Sequence, residues 1–369
     1  MVDLQAQYKR LQKEIDCAMA EVINQTAFIN GPAVKDFQKN LENYLDVKHV
    51  IPCANGTDAL QVALMALDLK EGDEIITSTF TFIATVEVIA LLKLKPVLVD
   101  VDPNTFTLIP NEVEKAITKK TKAIIPVHLF GQGADMNHLM KIARQHNLFV
   151  IEDTAQAIGS NFSYENKETK LGTIGNIGCT SFFPSKNLGC FGDGGACFTN
   201  DDDLAAQMRM IINHGSKKKY YHQTIGVNSR LDTIQAAVLN VKLKQLDDFN
   251  NRRRKAADFY DGAFKDHPSI QIPARTQESV HTFHQYTFRV KNGKRDSLQA
   301  YLKEKEIPSM VYYPIPLHQQ EAFKQYINDQ QILPHAEALS KEVLSLPMHT
   351  ELTEKQLNHI TDAILAFFE

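Results

Sequence analysis

The chain has no apolar run long enough to cross a bilayer. Its longest, such as Val62–Leu67, are far too short for a span. The first residues, MVDLQAQYKRLQKEIDC, lack an apolar core, so no secretory signal is expected. Cysteine is sparse: the five (Cys17, Cys53, Cys179, Cys190, Cys197) are scattered, odd in number and without metal-ligand spacing. That excludes a disulfide framework and fits a reducing cytoplasm. The 13 histidines form no HExxH or similar cluster, so no metal site is expected. Net charge is only −4 and no basic face is visible, which argues against nucleic acid. Gly131-Gln132-Gly133 and Gly192–Gly195 do not complete a dinucleotide fingerprint after a first strand, which excludes a nicotinamide site. Internal repeats and low-complexity tracts are missing too.

What remains is an ordinary globular composition, 43% hydrophobic and 23% charged, in 369 residues. Apolar side chains at Leu4, Tyr8, Leu11, Ile15, Met19 and Val22 have helical spacing, as do Val34, Phe37, Leu41 and Leu45. His49–Cys53 is a short apolar run, and Asp58–Leu69 a strongly apolar helix. Strands and helices then alternate: Glu74–Ser78, Phe82–Leu94, Val97–Val101, Glu112–Thr118, Ala123–His128, Met136–His146 and Leu148–Glu152, with strands near 178–183 and 195–199. Continuous apolar strands between helices predict an α/β fold, a mainly parallel sheet covered on both faces. Residues 231–265 read as one long helix, charged in its second half. From about 265 the pattern becomes a smaller α+β unit with strand Tyr286–Val290, helices Leu298–Lys305 and Leu357–Phe368, and a proline-rich loop Pro308–His318. The expected division is 1–250 and 251–369.

Four stretches carry chemistry. In CTSFFPSKNLGCFGDGG (179–195), Lys186 sits among apolar residues, small hydroxyls and glycines. A lysine drawn out of water loses its charge more easily and can attack a carbonyl. A lysine merely crossing an apolar edge is the competing reading. Asn55-Gly56-Thr57-Asp58 opens a helix, with Thr57 or Asp58 as cap and free N–H groups for an anion. Glu152-Asp153 ends an apolar strand, where a buried carboxylate needs a cationic partner. Capping by Asp153 or Thr154 would explain the same residues. Phe82 in STFTFIAT offers a ring for stacking or for the core. Asn228-Ser229-Arg230, before a helix, offers an amide and a guanidinium to phosphate or carboxylate, or simply a surface cap.

Taken in order, NGTDAL, TFTFIAT, VDVDPNTF, AIIPVHLFGQ, IEDTAQAIG, SFFPSKNLGCFGDGGA, NHGSKKKYYH, GVNSRLDTIQAAVL, YYPIPLH and SLPMH run across the chain. This set resembles the DegT family of nucleotide-sugar aminotransferases, pyridoxal-phosphate enzymes of fold type I. The resemblance implies the cofactor pyridoxal 5'-phosphate, alternating with its pyridoxamine form. It implies a Schiff base on Lys186, a pyridine-nitrogen partner in Asp153 and a ring-oxygen contact from Gln156. It also implies stacking by Phe82, a phosphate cradle of Gly56, Thr57 and Ser181, and Asn228 reaching in from the second subunit of a homodimer. Arg230, His284, Tyr312, Tyr313 and His318 are the implied substrate contacts. The implied reaction moves an amino group from L-glutamate to C3 of a UDP-linked 3-keto sugar acid, for a surface polysaccharide. The chain has Tyr312-Tyr313-Pro314 where 3-keto relatives carry histidine, tyrosine and proline. A dTDP- or UDP-linked 3-keto or 4-keto 6-deoxysugar substrate is the alternative within the family. A non-catalytic cofactor-binding regulator is the alternative outside it.

Overall fold

The computed structural model describes residues 1–327 and 331–369. Two helices come first, α1 (Leu4–Gln25) and α2 (Pro32–Leu45). Alternation follows: β1 (His49–Cys53), α3 (Gly56–Ala66), β2 (Glu74–Ser78), α4 (Ala84–Leu91), β3 (Lys95–Val99), α5 (Pro110–Lys115), β4 (Thr121–Ile125), α6 (Met136–His146) and β5 (Phe149–Asp153). A hairpin, β6 (Asn161–Tyr164) and β7 (Lys167–Lys170), precedes β8 (Ile177–Ser181) and β9 (Gly195–Thr199). Next come α7 (Asp202–Ile211), a short hairpin of β10 (Ser216–Lys218) and β11 (Tyr221–His222), then α8 (Thr233–Leu243) and α9 (Leu246–Phe264). The rest holds β12 (Ile270–Gln271), β13 (Tyr286–Val290), α10 (Arg295–Glu304), α11 (Pro334–Glu342), β14 (Val343–Leu346) and α12 (Glu354–Phe368).

The central sheet has seven strands in the order β1-β9-β8-β5-β4-β2-β3. Pairs β2–β3, β2–β4, β4–β5 and β5–β8 are parallel, and β9 alone runs against its neighbours β1 and β8. The reversal has a local cause. Residues 182–194 join β8 to β9 as a loop, whereas parallel neighbours need a long crossover. That loop carries Lys186 and leaves the carboxyl end of β8. β2 and β9 are buried along their whole length, as strands covered on both faces must be.

On one face Ala59, Leu60 and Ala63 of α3 and Met208 of α7 pack on Ile51, Ile177 and Cys179. On the other, Phe37 and Leu41 of α2 and Leu239 of α8 pack on Val50 and Phe198. A separate core gathers Tyr260, Phe264, Tyr286, Phe288, Leu298, Leu344 and Ile360. The division expected at 250/251 falls inside α9. Leu246 at its start belongs to the sheet's core, and Ala256–Phe264 to the C-terminal core.

Three expectations change. The helix read over 231–265 is two helices: Gln245 N bonds Lys242 O at 2.9 Å, a tightened turn that starts a new axis ahead of Asp247 and Asp248. The strand read as Val97–Val101 is Lys95–Val99. Asp100 ends it by turning its carboxylate onto the N–H groups of Val101, His335 and Ala336, which fastens the start of α11. Asn55, rather than Thr57 or Asp58, caps α3, accepting from Asp58 N at 2.8 Å.

Candidate active site

The topology brings the carboxyl ends of β1, β8, β5 and β2 to one edge of the sheet, where ligands bind in such folds. After β1, α3 starts at Gly56. A Cβ there would lie 2.6 Å from Ser181 Cβ at the end of β8, so only glycine allows this approach. With Asn55 occupied by Asp58 N, the first N–H groups of α3 face this edge beside Ser181, a setting suited to an anion.

Lys186 lies in the β8–β9 loop, its backbone N–H bonded to Phe183 O at 2.8 Å. Its side chain makes no hydrogen bond or ion pair among the described residues. Burial lowers its pKa to about 8, against the opposing pull of the Asp153 carboxylate. The ammonium is therefore an incipient free amine near neutral pH.

Asp153 is the last residue of β5. Its carboxylate accepts from Thr85 Oγ1 at 2.9 Å and Ala155 N at 3.1 Å. Burial raises its pKa, against the pull of these donors, Lys186 and His128. No cation lies within ion-pair distance of it among the described residues. Glu152 points to the other face, as strand alternation requires. There it is fully satisfied by Gly172, Ile174 and Gly175 N at 2.8, 2.8 and 2.6 Å and by His128 Nε2 at 3.0 Å. Of the two acidic residues, only Asp153 is left to face a ligand.

Gln156 accepts from Phe130 N at 2.7 Å and gives one N–H to Tyr313 OH at 3.2 Å, which leaves its second N–H unclaimed. Tyr313 stands edge-on to Phe80, with ring centroids 5.9 Å apart. Phe82 is 55% exposed, so the structure does not bury it in the core. Its carbonyl accepts Thr85 N at 3.3 Å, in the same turn that supports Asp153. Tyr312 is half-buried, and burial raises its pKa.

The remaining expected residues divide. Ser229 Oγ accepts from Ala54 N at 3.0 Å, so the Asn228–Arg230 segment lies against the β1–α3 junction. Asn228 is exposed and Arg230 half-buried. Arg230 makes no ion pair with Asp232 or any other acid among the described residues, so its guanidinium is not spent on capping α8. His318 spends both ring nitrogens on its own chain, on Thr79 Oγ1 at 2.8 Å and Glu337 Oε1 at 3.3 Å. No ring nitrogen is left for a substrate diphosphate. His284 is 5% exposed, with Nδ1 3.3 Å from Asn187 Oδ1.

Sequence reasoning missed Thr85, which only its hydrogen bond to Asp153 reveals. It also missed Lys242, a second lysine whose pKa burial lowers to about 8. Lys242 Nζ donates to Gly189 O at 2.7 Å and sits 4.7 Å from the Phe191 ring centre, so it clasps the Lys186 loop.

The profile of the DegT/DnrJ/EryC1/StrS aminotransferase family matches residues 9–365. The chain is 47% identical to the "Pleiotropic regulatory protein" of Geobacillus stearothermophilus, over 100% of this chain and 98% of that one. It is 44% identical to the UDP-2-acetamido-2-deoxy-3-oxo-D-glucuronate aminotransferase of Pseudomonas aeruginosa, over 98% of each. The crystal structure of DesV from S. venezuelae, in complex with a ketimine intermediate, superposes with a TM-score of 0.95 at 38% identity, covering 100% of this chain and 98% of that one. The mainly parallel sheet between helices is fold type I of pyridoxal-phosphate enzymes. An amine without a partner and a buried carboxylate without a cation, on one edge of such a sheet, are what that cofactor requires. The chain belongs to the DegT/DnrJ/EryC1/StrS family and is a nucleotide-sugar aminotransferase that works with pyridoxal phosphate.

Proposed function

We propose that this enzyme transfers an amino group from L-glutamate to C3 of a UDP-linked 3-keto sugar acid, as a homodimer, in the making of a surface polysaccharide. Its unpaired cysteines suit the reducing cytoplasm where such precursors are made. When bound, pyridoxal phosphate supplies an electron sink through its protonated ring nitrogen. Lys186 would hold the cofactor through Nζ and would move a proton on that atom to and from the reacting carbon. Asp153 would accept the hydrogen bond of the protonated ring nitrogen. Gln156 would give its free N–H to the ring oxygen, and Phe82 would supply a stacking ring. The Gly56 and Thr57 N–H groups and the Ser181 hydroxyl would hold the phosphate.

The observation that carries the substrate reading is Arg230, half-buried with no carboxylate of its own among the described residues. A guanidinium takes a carboxylate in two parallel hydrogen bonds. The dimer reading rests on exposed aromatic and aliphatic side chains around the site. Phe28 and Ile29, 45% and 56% exposed, lie against the start of α8, with Ile29 paired to Asp232. Phe183 and Phe191, 53% and 40% exposed, flank Lys186 in sequence. Apolar groups gathered beside a site mark a surface that another chain covers. In the dimer, Asn228 and Arg230 serve the second subunit's site, with Tyr312 and Tyr313 facing the sugar.

The test compares Arg230→Ala with the parent on UDP-linked 3-keto glucuronate and its neutral glucose counterpart. A charged hydrogen bond is worth about 1.5–3 kcal/mol, so a selective loss of roughly ten- to hundredfold on the acid is expected. Equal losses on both would sink the acid reading and favour a 6-deoxysugar carried by dTDP or UDP. A yellow protein that glutamate does not bleach, and that aminates no keto sugar in a panel, would favour a regulator.

A further inference from the structure

Asn187, Gly189 and Phe191 alternate along the loop after Lys186, and each is tied by a side chain from outside it. The Asn187 amide donates to Asn250 Oδ1 of α9 at 2.8 Å and to Thr282 O at 3.1 Å. Gly189 O accepts from Lys242 Nζ of α8 at 2.7 Å, and Phe191 N donates to Gln235 Oε1 of α8 at 2.7 Å. Gln235 and Lys242 stand at i and i+7 on α8, about two helical turns apart, so one face of that helix supplies both.

The hold on Gly189 reaches Lys186 through packed backbone. A Cβ on residue 189 would lie 2.3 Å from Pro184 O and 2.9 Å from Phe183 O, so the two limbs of the loop touch there. Phe183 O in turn accepts the Lys186 backbone N–H at 2.8 Å. Cys190 N to Phe182 O at 2.8 Å and Phe182 N to Gly194 O at 2.7 Å close the loop at its base. A displaced Gly189 therefore displaces the turn on which Lys186 stands.

Lys242 is 2% exposed, and no carboxylate pairs with it among the described residues. A buried cation without a counter-ion is costly, and an apolar side chain of the same length would fill the space at less cost. Such a side chain cannot make the bond to Gly189 O. We propose that Lys242 and Gln235 are positioning residues for Lys186: from one face of α8 they hold Gly189 and Phe191, and so fix where the Lys186 amine stands when it meets the aldehyde of the cofactor. The inference rests on Lys186 as the residue that attaches pyridoxal phosphate. Its test uses neither glutamate nor a sugar, so its failure is distinct from a failure of the substrate reading.

The full-length protein is stripped of cofactor, and pyridoxal phosphate is added back. The amine condenses with the aldehyde and water leaves. The limiting rate at saturating cofactor reports the placement of the amine, and the half-saturating concentration reports the phosphate cradle. Borohydride reduction and peptide mass spectrometry show which lysine has reacted. Lys242→Met, which keeps the length and loses the donor, should lower the limiting rate roughly ten- to hundredfold, the effect of moving a reacting group by about an ångström, with the half-saturating concentration unchanged. Lys242→Arg, which keeps a donor, should recover most of that rate. Gln235→Leu should be slow in the same way, and Gln235→Glu, which keeps an acceptor for Phe191 N, should recover. Should Lys242→Met fail to fold in a urea titration, the Gln235 pair decides on the same reading. A parent-like limiting rate in Lys242→Met or Gln235→Leu overturns the proposal. So do conservative variants as slow as their apolar counterparts, which would make filled space rather than the two hydrogen bonds the cause. A change in the half-saturating concentration alone, or label on another lysine in the parent, overturns it as well.

Discussion

Asp153 and Glu152 share a strand, a charge and near-complete burial, yet the two-residue alternation of β5 gives them opposite work. Glu152 is closed off by three backbone N–H groups and His128. Asp153 has one hydroxyl and one N–H, which is too little for a buried anion. In the proposed reaction a protonated ring nitrogen would complete it, and a neutral amide would not hold that proton. Asp153→Asn should lower kcat at least a hundredfold with an unchanged circular dichroism spectrum. A rate within about threefold of the parent, less than about 0.7 kcal/mol on the barrier, would remove Asp153 from the reaction. Thr85→Val strips one donor from the carboxylate and should cost a smaller, roughly tenfold, loss. The same scale shows what a sequence reveals. Lys186 is legible because its neighbours in the chain are apolar and small. Lys242 is not, because the groups that enclose it, Gly189 O and the Phe191 ring, come from a distant loop. Arg230 and His318 look alike in the sequence as hydrogen-bonding groups for a substrate. Only the fold shows that His318 is already occupied and Arg230 is not.

Among the elements, the strands and helices of the central sheet follow from long apolar patterns, because burial on both faces leaves continuous hydrophobic runs. The hairpins β6–β7 and β10–β11 do not. Their segments, NFSY, KETK, SKK and YH, are short and largely polar, without alternation to read. α11 was equally hidden, because it passes into β14 at Glu342-Val343 with no glycine or proline between. The joint between β5 and the segment 172–175 is a polar latch inside an apolar layer. Two carboxylate oxygens there receive three backbone N–H groups. Glu152→Gln replaces one of those oxygens with a donor, which turns an acceptor into a repulsive contact and leaves buried N–H groups unpaired. It should lower stability by about 1–3 kcal/mol in urea unfolding, with the shortfall independent of cofactor. A midpoint equal to the parent's would show that the latch carries no weight.

For the whole molecule, the strongest pH-dependent term comes from histidines held neutral around the junction of the two cores. Burial, helped by Arg275, lowers the pKa of His281 to about 3. Burial lowers His349 to about 4, against the pull of Asp3. Burial, with the positive charges of Lys186 and Arg253, holds His284 well below the ordinary value. His281 stacks flat on Phe283, with centroids 3.8 Å apart, and its Nδ1 accepts Phe283 N at 3.0 Å, so a proton has no room there. The unfolded chain takes up these protons near pH 6.5 and the folded one does not. A base whose folded pKa is depressed gives stability that is complete above the unfolded value and lost as pH falls below it. Asp153 and Asp261, whose pKa values are raised chiefly by burial, work in the opposite sense and offset part of the fall. Between pH 6.5 and about 4.5 the histidines should dominate. Each contributes a slope of roughly 1.4 kcal/mol per pH unit, or roughly 4 kcal/mol per unit for three. The urea midpoint should therefore fall steeply from pH 6.5 to 4.5 and stay level from 6.5 to 8. His281→Phe, which cannot take up a proton in either state, should show a shallower fall by about one proton's worth, even where the variant is less stable overall. A midpoint that is flat down to pH 5, or a variant with the parent's slope, would mean that these histidines are charged in the folded protein and that the junction is wetter than its packing indicates.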